Sequence, residues 1–561
     1  MVKHKQSVAS RPRNKFEQGG KKQAVTPSSQ KKRKGFFDVV AKIPVFVFEL
    51  LLIWLFLYFW YGDVLHVAEQ RGFFAFDSTA MQAYSSQPLG WLYLTGRFLL
   101  LSCVFPLLGS LLIALMLVVA AWLLDNALCL RRWWRLVAIA LPFGYVGYLF
   151  CMDLNLVYLR EVSWIMTIPL IALVVCLALA LTMALVRKKR LKVSSFWKRP
   201  EAGTETSSVV ACGLVTLMFA GSVAVAETYA QNCRITCKME SYMYDERWDD
   251  MVKAAKKASH PSRTVTGLYA VALNQNGEMA TELFNIPMQY GNAHLSRKDG
   301  TFDSGIDFIV INCDFYAGLV RSAYHEAMEQ TVINGPSIDK LKIMVKCALI
   351  DKENALAEKY LAILKKVPFE SSFVEKYSDM LADYNKVLSD ENLAKVIELQ
   401  PVNDSFEQNY REPLFLGYNV KLTEAKSIRG LNNSLYACLY SKDLNGYWER
   451  IVSMIQNNVM LSKVFEEAIV IKNLRNLPML KQVKLSPYTL QGVKDFVEEC
   501  FGDNNLANMR LSKEEKTKIS KEKAIKYKDK YLGTYQYYYY FQNVPDENYV
   551  SPDSEQKGGV N

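Results

Sequence analysis

The chain has little of what most enzyme chemistry requires. It contains only five histidines in 561 residues. His325-Glu326-x-x-Glu329 places His325 beside Glu329 at i, i+4 but lacks the second histidine of a zinc protease motif. An amphipathic helix with surface carboxylates accounts for that pattern, and His260, followed by Pro261, reads as a turn residue. No Gly-rich phosphate loop, nucleophile elbow or paired dinucleotide fingerprint is present. The eleven cysteines are scattered, so a core rather than a disulfide framework must hold the fold. Five of them (Cys103, Cys129, Cys151, Cys176, Cys212) lie in or beside apolar segments, where thiols behave as small hydrophobes. Cys233 and Cys237 form a candidate disulfide for an oxidising compartment, although at i, i+4 on one helix they need local unwinding to pair. A zinc site there has no further ligands at suitable spacing. These absences lead us to expect no catalytic residue, no metal, no cofactor and no enzymatic activity.

What the chain does have is charge in short blocks and long apolar runs. Residues 1–226 hold 25 of the 67 basic and 11 of the 56 acidic side chains, so the net charge of +11 belongs to this part and the remainder is slightly acidic. Basic blocks that flank apolar segments mark membrane topology, whereas nucleic-acid binding needs a continuous basic face, so no nucleic-acid partner is expected. Residues 1–43 read as a disordered cytoplasmic tail with eleven Lys or Arg by residue 34. Beside a membrane such a tail also meets anionic lipid, at about 1 kcal/mol per basic residue. The first apolar run is long and aromatic-rich with no small-residue site after it, which disfavours a cleaved signal peptide.

Five spans are expected within residues 44–226: about 44–61, 98–124, 136–152, 164–186 and 207–226. The loop 62–88 holds Asp63, Glu69 and Asp77 against Arg71 and is placed outside. The apolar stretch 89–124 is interrupted by Arg97 and Pro106; one kinked helix is preferred over two re-entrant pieces. Gly144 and Gly147 offer close helix contact in the third span. Two crossings between successive basic blocks (the tail, 131–135 and 187–199) put all three on one side, so the fifth span carries the rest of the chain out of the cytoplasm. Ala224-Val225-Ala226 resembles a small-x-small cleavage site; a permanent tether is the reading adopted, with cleavage as the alternative. Glu49 and Arg97 are intramembrane charge candidates, set against simple snorkelling to the interfaces.

Residues 227–511 read as short amphipathic helices broken by Gly, Pro and Asn, with few strands. Small residues recur on paired helices: Ala323 and Ala357 are 34 positions apart, the tetratricopeptide period, while Ala280 and Ala323 are 43 apart. An irregular tetratricopeptide-like α-solenoid follows, since paired helices that cannot bury their faces alone must stack. Trp248-Asp249-Asp250-Met251, Leu273-Asn274-Gln275-Asn276-Gly277-Glu278-Met279, Ala323-Tyr324-His325-Glu326-Ala327-Met328-Glu329 and Leu356-Ala357-Glu358-Lys359-Tyr360-Leu361 stand behind the multi-span anchor. In this combination the chain resembles an uncharacterised family of Bacteroidota membrane proteins with a tetratricopeptide-like domain. That resemblance implies architecture and a bacterial envelope location, with no activity attached.

Residues 512–545 join a charged helix, opened by a Ser512–Glu515 capping box, to a segment with seven aromatics in eleven residues; 546–561 form a disordered tail. Tyr535, Tyr537, Tyr538, Tyr539 and Tyr540 are candidates for a ligand or partner surface, although a cap that closes the last repeat is the preferred reading. The expected whole is an all-α protein, a transmembrane helix bundle followed by a helical array. It sits in the lipid bilayer of the bacterial cytoplasmic membrane with its amino terminus inside and its array on the extracytoplasmic, periplasmic side. The expected role is non-catalytic binding or scaffolding of a protein or peptide partner. The alternative is an enzyme or transporter component whose site lies in the bundle.

Overall fold

A computed structural model describes residues 45–86, 88–128, 135–158, 161–188, 208–259, 261–288, 306–403, 424–457, 459–474, 477–502 and 513–542. The tail, the basic block 189–199, His260 and the Ser512 capping box lie outside the described residues. The fold is all-α; among the described residues β-pairing is confined to one isolated bridge, Pro401 with Ala425.

The first half contains α1 (Val45–Arg71), α2 (Gly90–Leu100), α3 (Pro106–Leu128), α4 (Arg135–Met152), α5 (Trp164–Lys188) and α6 (Ser208–Thr228). All of these except α2 are long and apolar enough to cross a membrane, five helices in total. α3 packs between α1, α4 and α5, and α6 closes against α1 and α4. α5 turns Val174, Val175, Leu181 and Leu185 outward, as a wall facing lipid requires.

Three details differ from the sequence reading. Residues 62–71, read as loop, continue α1 without a break, because Val64, Leu65, Val67 and Ala68 are apolar and buried. At 27 residues α1 is about 40 Å long against a hydrocarbon core of about 30 Å, so its last turns project beyond the bundle. The stretch 89–124 is two helices rather than one kinked span: α2 ends in a 3-10 turn (Leu101–Val104), Phe105 is extended before Pro106, and α3 starts at that proline. Gly144 and Gly147 face open space, whereas close approach occurs at Gly96, where a Cβ would lie 2.4 Å from Thr167, and at Gly109 against Cys103.

The second half contains α7 (Gln231–Tyr244), α8 (Trp248–Ala255), α9 (Arg263–Asn276), α10 (Ile306–Tyr316), α11 (Val320–Asn334), α12 (Ile338–Ile350), α13 (Asn354–Leu364), α14 (Ser371–Ala382) and α15 (Glu391–Leu399). After these come α16 (Ile428–Tyr440), α17 (Leu444–Gln456), α18 (Lys463–Lys472), α19 (Pro487–Phe501), α20 (Lys513–Tyr531) and α21 (Tyr535–Phe541). Each packs chiefly on helices close to it in sequence, with Ala323, Ala327 and Ala357 fully buried where α11, α12 and α13 meet.

One turn recurs along this array. At Glu246, Gly277, Gly318, Lys352 and Lys442 the backbone enters the left-handed region. The following N–H bonds back to the carbonyl five residues earlier, as in Glu353 to Ala348 (2.8 Å) and Asp443 to Cys438 (2.8 Å). Where another helix end backs onto the turn, as Leu399 of α15 does at Gly318, only glycine fits.

Candidate functional site

The projecting end of α1 is bonded into the array. The Arg71 guanidinium donates to Glu240 of α7 at 2.7 Å, lies 3.8 Å from the Asp339 carboxylate of α12, and stands 4.3 Å over the Tyr158 ring. The Tyr158 hydroxyl donates to the other Glu240 oxygen at 2.8 Å. Burial raises the Glu240 carboxyl above its ordinary pKa, and the charge and hydrogen bonds of Arg71 oppose that rise. One residue earlier, Gln70 donates to Glu69 (2.8 Å) and Glu370 (3.2 Å) and accepts from Lys342 (2.7 Å), which also pairs with Glu370 at 2.8 Å. The Ile338 N–H donates to the Gly72 carbonyl, and the Phe76 N–H to that of Lys366. A buried polar seam thus joins the first membrane helix to α7 and α12.

Beside the seam lies a cavity of about 440 Å³, a size suited to a small ligand. Its bundle side is formed by His66, Gln70 and Val104, and its array side includes Lys342, Lys346, Lys376 and the rings of Tyr316, Phe373 and Tyr377. Asp245 and Glu246 line it at the α7–α8 turn. Phe369 of the lining meets Phe105 edge to face at 5.9 Å, both rings being exposed.

Most of the charges in the lining already have partners. Lys342 holds Glu370, Lys376 holds Asp390 at 3.0 Å, and Asp339 holds Arg71 and accepts from Ser337. Lys346 is different: its ammonium stands 5.9 Å from the ring centroids of Phe315 and Tyr377, and no carboxylate among the described residues bonds it. Burial lowers its pKa below that of an ordinary lysine, while the Glu246 charge opposes the fall. The buried Nδ1 of His66 has no hydrogen-bond partner among the described residues.

The residues picked from sequence lie elsewhere. Arg97 does not snorkel: it grips Glu161 with two hydrogen bonds, 2.9 and 2.8 Å. Burial raises the Glu161 carboxyl, but those bonds and the Arg97 charge outweigh it and hold the carboxyl below its usual range. Glu49 does not snorkel either; it is fully buried in the bundle, with neither oxygen hydrogen-bonded among the described residues. Cys233 and Cys237 are buried with their sulphurs 4.0 Å apart, in hydrogen-bond contact as thiols. His325 is exposed on α11, and no group of three or more metal-ligating side chains occurs among the described residues. Ala226 lies inside unbroken α6, buried, with its carbonyl accepting from Arg234 at 2.6 Å.

The tyrosine segment follows the cap reading rather than the ligand surface. Tyr535, Tyr537 and Tyr538 are core residues rather than a ligand surface, and Tyr539 and Tyr540 are partly covered. Glu467 accepts from the Tyr535 N–H at 2.8 Å, Tyr537 donates to the Ala524 carbonyl at 2.7 Å, and Phe284 meets Tyr538 at 4.6 Å between ring centroids. These rings close the end of the array by packing in, because a run of such large apolar area gains more by burial than by exposure.

Sequence reading missed the cavity, although a signal existed. α12 carries Lys340, Lys342 and Lys346 among Leu341, Ile343, Met344, Val345 and Cys347, so cations are set into an otherwise apolar helix.

Residues 38–227 and 126–542 match DUF6057, a family of unknown function. No curated protein and no solved structure matches the chain.

Proposed function

Because the chain belongs to that family, which brings no activity to transfer, we infer its role from the geometry: a membrane-anchored, non-catalytic binding protein of the bacterial envelope. The five apolar helices hold it in the cytoplasmic membrane with the amino terminus inside. The helical array, an irregular tetratricopeptide-like solenoid, stands on the extracytoplasmic face and receives a protein or peptide. The observation that carries this reading is the cavity at the seam, where the first membrane helix and the array each supply part of the lining. An occupant there touches both halves of the molecule at once.

The test uses full-length protein in lipid nanodiscs and its thermal unfolding. A low-molecular-weight fraction of envelope extract should raise the unfolding midpoint of the wild type and leave unchanged that of Ser372→Trp, which fills the cavity. No rise with any fraction, for protein that unfolds cooperatively, contradicts the reading.

A second reading, a transport component with its site in the bundle, draws on Glu49 alone, buried and unpartnered among the described residues. Glu49→Gln separates the two: ligand binding to the full chain is unchanged if the seam cavity is the site and is lost if the bundle is.

A further inference from the structure

The charges that remain once internal pairs are set aside define what the cavity complements. Lys342 with Glu370, Lys376 with Asp390 and Arg71 with Asp339 neutralise one another. Left over in the lining are one ammonium, Lys346, and two carboxylates, Asp245 and Glu246, none bonded to another side chain among the described residues. Lys346 and Glu246 feel each other's charge yet form no ion pair, so the lining keeps charges of both signs that no side-chain bond among the described residues takes up. Glu246 is held there by the left-handed turn between α7 and α8 (φ 58°), and Lys346 by α12. The rings of Tyr316, Phe373 and Tyr377 add an apolar wall to the same space.

We propose that this cavity binds an α-ammonium carboxylate, a free amino acid or a short peptide, with its carboxylate at Lys346, its ammonium at Glu246 and Asp245, and an apolar side chain on the aromatic wall. A simple anion fits less well, because the lining carboxylates repel it, and a simple cation meets Lys346. A zwitterion answers both signs, and aromatic faces favour its ammonium and its side chain alike. The volume of about 440 Å³ accommodates more than a single amino acid, so short peptides are included. This assignment rests on the binding role inferred above and names its ligand class.

The experiment measures binding to the full chain in nanodiscs by calorimetry. The probes are phenylalanine, Ala-Phe and Ala-Phe-Ala, each also in N-acetylated and C-amidated form, with 3-phenylpropionate and phenethylamine as single-charge controls. At least one zwitterionic probe should bind, and blocking either end should weaken it tenfold or more; which length binds best separates amino acid from peptide. Lys346→Met should weaken the free probe tenfold or more without weakening the amidated one further. Glu246→Gln should abolish discrimination against the acetylated one. Equal binding of free and blocked probes, or of phenylpropionate and Ala-Phe, overturns the proposal. Absence of binding by every probe also overturns it, and the envelope-fraction result then tells the failures apart. A midpoint rise with that fraction retains a binding protein with a different ligand, and no rise removes both.

Discussion

Arg71 is the residue whose surroundings leave it least freedom. Its charge is buried against Glu240, and a buried charge stripped of its partner costs about 3–5 kcal/mol. Glu240→Ala is therefore expected to destabilise the protein by about that amount, measured by chemical unfolding in detergent micelles, and to loosen α7 from α1. Lys442 gives a pH signature. It occupies a left-handed turn, donates to the Gln542 carbonyl, and burial pushes its ammonium from an ordinary 10.5 down to about 7. Between those two values the unfolded chain holds the proton that the folded chain has released, so this residue's contribution to stability rises as pH increases from 7 towards 10.5. Below about 7 both states are protonated and its penalty is constant. Unfolding midpoints of the wild type and Lys442→Met should thus differ most at pH 6 and converge in alkali. None of this was legible in sequence: Arg71 and Glu240 are 169 positions apart, and nothing local marks which surface lysine the last helix will cover.

At the scale of elements, the repeated left-handed turn sets how successive helices fold back. Lys352 adopts φ 61° with a side chain that a glycine would not have to accommodate. Lys352→Gly should raise stability by up to about 1 kcal/mol, after allowing for the contact of its ammonium with the Tyr384 ring at 4.5 Å. Gly318→Ala should do the opposite and more strongly, since an added Cβ would sit 2.5 Å from the Leu399 carbonyl carbon. Both are read from thermal unfolding. The helices themselves were plain in the sequence, because apolar periodicity is a local property. The left-handed geometry of the turn was signalled only where glycine occupies it, at Gly277 and Gly318; at Glu246, Lys352 and Lys442 the same geometry is carried by residues that give no such sign. The tyrosine segment was ambiguous for a related reason, since tyrosine suits a binding face and a core equally, and only Glu467, Ala524 and Phe284 decide between them.

At the scale of the whole molecule, hydropathy and charge blocks were enough to find five apolar helices, since both signals are long-range averages over composition. They could not show that α1 runs past the bundle into the array, because the residues that continue it are chosen by contacts with α7 and α12. That continuation makes the bundle end and the array share one polar seam and one cavity. Hydrogen exchange on the full chain in nanodiscs tests this most directly. Amides of residues 62–71, α7 and α12 should show matched protection in the wild type and lose it together in Glu240→Ala. Retained protection of α7 and α12 while 62–71 exchange freely would contradict a joint built on the seam.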